Sequence, residues 1–289
     1  MIKNSVLMIA LFLGISVASY AQFPTIGKVK SKHPRLSREV LSDIIGSLPN
    51  PLEISVFAQQ QKIDYQKTKL PAKANGYLHQ AWLSGVYFVR LHQACVYKKT
   101  EMAKAYLKAM QRLATTLSAA QYFPESKLKV LLKKNKKQGE FLSRINQSYE
   151  GLSYHWQIMG YADASIMMAT GDFIESLYLL ASSVSNVRKQ TFWNRLRDQK
   201  IMLEQYLLLL SFYEESPEVK KVILALNELQ LLFDQVKIDF EYQEPSLNYV
   251  NDMILAQDNT KTRIYIEEGT KRKLVNKIKE IRKRLMPQD

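Results

Sequence analysis

From Tyr77 to Tyr97 the chain reads YLHQAWLSGVYFVRLHQACVY, and the spacing of its apolar residues decides the fold. Leu78, Trp82, Gly85, Val86, Val89, His92 and Val96 recur every three or four positions. That is the 3.6-residue period of a helix with one face turned to a core. The next stretch, Glu101–Ala119, repeats the pattern with Ala103, Tyr106, Met110, Leu113 and Leu117 inward and Lys104, Lys108 and Arg112 outward. A strand period fits neither stretch.

Working outward, the same period predicts helices over Phe141–Trp156, Tyr161–Val184, Thr191–Tyr213 and Pro217–Asp234, with Gly160 and Gly171 as joints. Ser216 before Pro217 suits a helix start. Towards the N-terminus, short helices over Ser37–Ser47, closed by Gly46, and Pro51–Gln61 flank the break Pro49-Asn50-Pro51, and Pro124 opens another short helix. At Val236 the period changes. Val236, Ile238, Phe240 and Tyr242 alternate with Lys237, Asp239 and Glu241, as in a strand with one buried face, and Asn248–Leu255 and Arg263–Ile266 are its candidate partners. Thr270–Leu285 returns to helix, with Leu274, Ile278, Ile281 and Leu285 on one stripe. The predicted fold is therefore mainly α. It is an antiparallel helical array of α-α pairs, without a strict internal repeat, carrying a small antiparallel β element at about 236–266 before a C-terminal helix at about 270–285.

The first residues read as an address. Lys3 gives a positive start, Val6–Val17 is free of charge, and Ser19-Tyr20-Ala21 places small residues before a cut at Gln22. Residues 1–21 are thus expected to be a signal peptide and 22–289 a single helical domain. Twelve apolar residues span only about 18 Å at 1.5 Å each, against a hydrocarbon core of ~30 Å, which disfavours a retained membrane anchor. No later stretch reads as a span: Ile201–Tyr213 is too short, and Asp163, Asp172 and Glu175 interrupt Ile158–Leu180. The expectation is an exported protein, periplasmic or secreted and envelope-associated.

Composition narrows the class further. The 289 residues are 46% apolar, with 10 Gly, 9 Pro and one Cys, which excludes a disordered, collagen-like or disulfide-stapled chain. Cys95 lies among apolar neighbours and reads as a small buried hydrophobe. Charge is the skewed quantity, 41 Lys+Arg against 27 Asp+Glu, net +14.

Several segments carry a resemblance. Pro49-Asn50-Pro51-Leu52-Glu53-Ile54-Ser55, Gly85-Val86-Tyr87, Thr170-Gly171-Asp172-Phe173-Ile174-Glu175-Ser176-Leu177-Tyr178, and Gln199–Tyr213 followed by Val236–Tyr242 are similar to an uncharacterised family of exported, mostly helical proteins of Bacteroidota. The likeness runs roughly from Leu48 to Leu285. It implies an envelope or secreted location and assigns no residue roles.

The search for chemistry yields few candidates. Of the four histidines, His33, His79, His92 and His155, none stands at metal-ligand spacing from another ligand in Glu-x-x-His or His-Glu-x-x-His. His79 and His92 point about 140° apart on one helix, and His92, on the apolar stripe, reads as a hydrogen-bonded core residue. No phosphate loop, nucleophile elbow or calcium loop occurs. No catalytic residue, metal or cofactor is therefore expected. Asp172 and Glu175 read as dipole partners at the start of a helix after Gly171, or as a carboxylate pair. Tyr154, His155, Trp156 and Tyr161 form the richest polar-aromatic stretch. Such side chains line a ligand groove or make an amphipathic contact between helices. Asn146-Gln147-Ser148 fits a glycosylation sequon that a bacterial source makes idle.

The basic residues cluster in Lys28–Arg38, in Lys127–Lys137 and on the last helix. If Leu274, Ile278, Ile281 and Leu285 dock, then Lys271, Arg272, Lys279, Arg282, Lys283 and Arg284 form a solvent-facing basic surface for an anionic envelope component, or a merely solvated one. Export argues against nucleic acid. Two function classes stay open: an exported non-enzymatic helical scaffold or binding module of the cell envelope, whose partner is an envelope protein or anionic envelope component, and a small-ligand binding protein or enzyme with a pocket near His155, Trp156 and Tyr161.

Overall fold

The computed structural model describes residues 36–47, 51–68, 71, 74–133, 138–183, 190–250, 253–257 and 261–286. The expected signal peptide, His33, most of the Lys28–Arg38 cluster and Lys134–Lys137 lie outside these residues, which all belong to the unit Ser31–Asp289.

The architecture is mainly helical. In chain order the helices are α1 (Arg38–Ser47), α2 (Pro51–Gln60), α3 (Tyr77–Val96), α4 (Thr100–Thr116), α5 (Glu125–Lys133), α6 (Gln138–Ile158), α7 (Ala162–Ser183), α8 (Gln190–Ser211), α9 (Pro217–Phe233) and α10 (Glu268–Leu285). A single 3-10 turn, Ala120–Tyr122, lies between α4 and α5. Among the described residues no helix is long and apolar enough to cross a membrane.

Helix α3 departs from its one-stripe reading. Residues on every side of it are buried, polar Ser84, Arg90, His92 and Gln93 included. The reason is position: α2, α4, α6 and α7 all pack on it, and the pair α3–α7 is the centre of the molecule. Two glycines set that pairing. A Cβ built on Gly85 would stand 1.9 Å from the Met168 carbonyl oxygen, and one on Gly171 would stand 2.2 Å from that of Trp82. Gly171 is therefore not a joint. It lies inside continuous α7, where its missing side chain lets two backbones touch.

Helix α4 keeps the expected split, with Ala103, Tyr106, Met110 and Leu113 buried and Lys108 and Arg112 exposed. Helix α10 docks through Leu274, Ile278 and Ile281, with Leu285 half-buried; it contacts α7 and α9. Its first turn already contains Glu268, earlier than the expected start at Thr270. Gly46 lies inside α1 rather than closing it.

Four helix ends share one device. After α2, α3, α4 and α6 a residue at positive φ turns the chain, and the next N–H reaches back five residues. The bonds are Ile63 N to Ala58 O (3.0 Å), Lys99 N to Ala94 O (2.7 Å), Ala119 N to Ala114 O (2.7 Å) and Tyr161 N to Trp156 O (2.8 Å). This is the Schellman closure, which answers carbonyls the helix leaves unpaired. Gly160 serves α6 at φ 82°, but Lys62, Lys98 and Ser118 take the left-handed position at φ 58°, 54° and 54°.

Between α9 and α10 the backbone carries short extended segments, β1 (Lys237–Glu241), β2 (Ser246–Val250), β3 (Met253–Gln257) and β4 (Lys261–Tyr265). Lys237 stands opposite Tyr265 and Glu241 opposite Lys261; Ser246 stands opposite Gln257 and Val250 opposite Met253. The stretch Asn248–Leu255, expected as one strand, is divided between β2 and β3. Val236 is buried but Tyr242 is 74% exposed, so the alternating face does not stay covered to its end.

Candidate functional site

The four residues of the polar-aromatic stretch do not converge. Consecutive helix positions turn by about 100°, so Tyr154, His155 and Trp156 leave α6 in three directions. Tyr154 is 53% exposed, Trp156 is 1% exposed in the core, and His155 is half-buried with its ring 5.4 Å from that of Tyr122. Burial holds the His155 pKa below its ordinary value. Tyr161 lies beyond the turn at Gly160 and meets Tyr77 edge-on, ring centroids 5.6 Å apart. The Tyr77 hydroxyl donates to Asp163 Oδ2 at 2.5 Å, and Asp163 Oδ1 accepts the Ala164 N–H at 2.9 Å. The arrangement is an interhelical contact between α3 and the start of α7.

The densest polar constellation lies elsewhere. Glu175 of α7 is completely buried and holds two guanidiniums, Arg90 of α3 and Arg282 of α10. Arg90 bonds Glu175 Oε1 and also donates to the Gln66 carbonyl at 3.0 Å and to Gln93 Oε1 at 2.9 Å. Arg282 donates from Nε to Oε2 at 2.9 Å and from its terminal nitrogen to Oε1 at 3.2 Å. Both guanidiniums face the Tyr178 ring, at 5.6 Å and 4.4 Å from its centroid, within the range of cation–π attraction. Burial by itself would raise the Glu175 pKa. The two guanidiniums and their hydrogen bonds outweigh it, and the carboxyl titrates below its ordinary 4.5. The cluster carries one net positive charge and ties together helices far apart in sequence.

These contacts overturn two expectations. Asp172 and Glu175 are not at a helix start, because α7 runs unbroken from Ala162 to Ser183. Arg282 does not face solvent: its side chain is 13% exposed and committed to Glu175. Sequence reasoning missed Arg90 altogether. The signal was available, since Arg90 stands four residues from Val86 and eight from Trp82 on the apolar stripe, where a charge needs a buried partner.

A second polar cluster joins α6, α7 and α8. Asp172 Oδ1 accepts the Ser176 hydroxyl at 3.3 Å, and Tyr149 and Tyr206 lie close enough for its charge to act on both. Burial pushes the Asp172 carboxyl well above its ordinary 3.8, against the lowering effect of the Ser176 and Tyr149 hydrogen bonds. Tyr149 stacks on Phe88 at 3.8 Å and Tyr206 on Phe173 at 4.5 Å. His92 is the buried core residue expected, its Nδ1 2.9 Å from the Phe88 carbonyl and its Nε2 2.9 Å from Asn146 Oδ1. That contact also occupies the sequon asparagine. Burial pushes the Cys95 thiol up to about 12, so it is an inert wall residue.

On α10 the basic surface is thinner than its sequence. Lys271 pairs with Glu268 at 2.5 Å and lies 5.0 Å from the Trp193 ring centroid. Arg284 pairs with Glu228 at 2.8 Å and Glu280 at 3.6 Å. Arg272, Lys279 and Lys283 make no ion pair among the described residues, and Arg272 and Lys283 are exposed. No group of three or more His, Cys, Asp or Glu side chains among the described residues is placed to hold a metal ion. No protein-family model, curated protein or solved structure matches the chain.

Proposed function

We propose that this chain is an exported, non-enzymatic helical scaffold or binding module of the bacterial cell envelope. The observation that carries the reading is where its chemistry-bearing side chains are spent. Trp156, Arg90 and Glu175 are buried in contacts between helices, Tyr161 and Asp163 meet Tyr77 across α3 and α7, and Asp172 is enclosed by three helices. Polar groups committed to one another inside a core specify one packing rather than a reaction. The signal-like Met1–Ala21 and the resemblance to exported Bacteroidota proteins supply the location.

In this reading the paired segments β1–β4 form a small antiparallel β element that leads the chain into α10. Arg272, Lys279 and Lys283 are the residues of α10 that meet an anionic envelope component. Contacts of exposed charges are screened within ~8 Å at physiological salt, so the attachment weakens as salt rises.

The test is fractionation of the native host with mass measurement of the mature chain, followed by reciprocal cross-linking with any envelope protein recovered. A chain starting at Gln22 in the envelope or periplasmic fraction, cross-linked from both sides to the same partner, supports the proposal. Cytoplasmic protein that retains Met1 refutes it. Replacing Arg272 and Lys283 with Gln should lower retention on anionic vesicles at low salt without loss of helix; unchanged retention defeats the α10 contact. Arg282 is excluded from that variant because its loss would disturb the core.

A further inference from the structure

Helix α9 keeps one face uncovered by the described chain. Val222, Leu226, Leu229 and Phe233 are buried on the side that meets the core. Its flanks belong to α8 and α10. Asp234 pairs with Lys200 of α8 at 3.2 Å, and Glu228 with Lys277 and Arg284 of α10 at 3.2 Å and 2.8 Å. Between those flanks Lys220, Leu224, Asn227, Leu231 and Asp234 are exposed. At about 100° per residue they fall within roughly 80° of rotation, so they form one stripe. Asp234 is the C-cap and keeps helical angles, φ −68° and ψ −19°, so the stripe runs to the end of the helix.

The stripe is more apolar than a solvated surface needs, with Leu224 57% and Leu231 68% exposed. On α8, joined to α9 by the short connection 212–216, Ile201 at 55% and Leu208 at 60% extend that outer surface. The order of the stripe is also self-complementary. Asn227 stands at its centre with a leucine on either side, then a cation at one end and an anion at the other. Turned antiparallel about an axis through Asn227, a second copy sets its Asp234 opposite Lys220 and its Lys220 opposite Asp234. Leu224 then lies within one residue's rise, about 1.5 Å, of Leu231 of the second copy. Asn227 meets its counterpart on the axis, where two amides can exchange hydrogen bonds. A polar residue placed in such a seam fixes its register.

We propose that this face pairs two copies of the chain through an isologous, antiparallel α9–α9 contact. A parallel pair would set Lys220 against Lys220 and Asp234 against Asp234, which like-charge repulsion opposes. A partner of one charge sign would answer only one end of the stripe. Asp234 meets Lys200 through Oδ1 and its side chain is still 55% exposed, which leaves Oδ2 for the incoming Lys220. The five stripe residues with Ile201 and Leu208 are fewer than the ~20–30 a side of a standard interface, so the dimer is reversible rather than obligate. The proposal goes beyond the scaffold reading and does not rest on an envelope location.

Sedimentation velocity of the purified chain over roughly 1–200 µM tests it, at ~0.15 M salt so that long-range repulsion is screened beyond ~8 Å. A monomer–dimer equilibrium within that range is expected. Leu224→Gln and Leu231→Gln, each checked for folding by circular dichroism, should weaken the dimer at least tenfold, because each removes two leucines from the seam. Lys220→Glu and Asp234→Lys should each do the same alone, since each sets like charges at both ends. An equimolar mixture of those two variants should recover wild-type association, because the mixed pair again sets opposite charges at both ends. Asn227→Cys should cross-link to itself under mild oxidation, and Lys108→Cys, exposed on α4, should not. The proposal is overturned by a chain that stays monomeric at the highest concentration, or by a dimer unchanged in the folded leucine variants. A mixture no tighter than either charge variant, or cross-linking of Lys108→Cys as readily as Asn227→Cys, overturns it too. So does a monomeric chain that captures a different protein through Leu224 and Leu231.

Discussion

Replacing Glu175 with Gln keeps the shape of the side chain and removes the one carboxylate between two buried guanidiniums. Arg90, with no side-chain exposure, would then hold its charge against neutral acceptors only. Breaking a buried pair in this way costs about 3–5 kcal/mol, chiefly because a charge is left uncompensated. Arg90 keeps its bonds to the Gln66 carbonyl and Gln93 Oε1, and Arg282 is 13% exposed, so the lower end, about 3 kcal/mol, is expected. For a chain of this size that lowers the melting temperature by roughly 6–12 °C. Arg282→Met should cost less, about 1–2 kcal/mol, because Glu175 retains Arg90 and the lost stacking on Tyr178 is worth about 0.5–2 kcal/mol. Equilibrium denaturation followed by circular dichroism measures both. The pH dependence supplies a second reading. A carboxyl whose pKa is depressed in the folded state contributes stability above its unfolded pKa, and that contribution is lost as pH falls through the folded value. Wild type should therefore lose part of its advantage over Glu175→Gln as pH drops below about 4.5, the ordinary value. A Glu175→Gln protein within about 0.5 kcal/mol of wild type at pH 7 would refute the reasoning.

Asp172 has the opposite sign. Its raised folded pKa costs stability as pH rises above the ordinary 3.8, so Asp172→Asn should flatten the fall in stability between acid and neutral pH; an unchanged pH profile in thermal melts contradicts this. Gly171→Ala forces a Cβ into the Trp82 carbonyl, and a loss of at least about 3 kcal/mol is expected from the top of the overpacking range, read from denaturant midpoints. Trp156→Ala should cost about 3–5 kcal/mol, while Tyr154→Ala stays within about 0.5 kcal/mol, a contrast that would vanish if both lined one open groove. Ser118→Gly, at a left-handed position, should gain about 1 kcal/mol, visible as a higher melting temperature.

The helices were legible because their apolar periods are long and regular, as in α3, α4 and α10. Their ends were less so. Lys62, Lys98 and Ser118 close helices where glycine is the usual sign, so nothing in the residue type announced the stop. Gly171 misled in the other direction: a glycine makes a turn or a close approach, and only the opposing backbone of Trp82 tells which. The same error moved Asp172 and Glu175 to a helix start. Of the candidate sites, the aromatic stretch was a true concentration of residue types, but the turn of α6 disperses it. The Arg282 reading failed because solvent exposure was inferred from charge. A position one residue past the buried stripe of Ile278 and Ile281 faces solvent or a neighbouring helix, depending on what lies opposite, and here Glu175 does.

The two halves of the grip on Glu175 reach it at different times. Arg90 precedes Glu175 by 85 residues, so it is already made when α7 emerges. Arg282 follows Glu175 by 107 residues, which at ~5–20 residues per second means a delay of roughly 5–20 s during synthesis. Until then the chain can assemble α3 against α7 as a neutral pair, but the carboxylate keeps one oxygen unanswered and Tyr178 lacks its nearer cation. A stalled or prematurely ended chain stays in that condition permanently. The C-terminal helix thus acts as a mark of completion: a molecule that has it is sealed at Glu175, and one that lacks it leaves Glu175 Oε2 without its guanidinium.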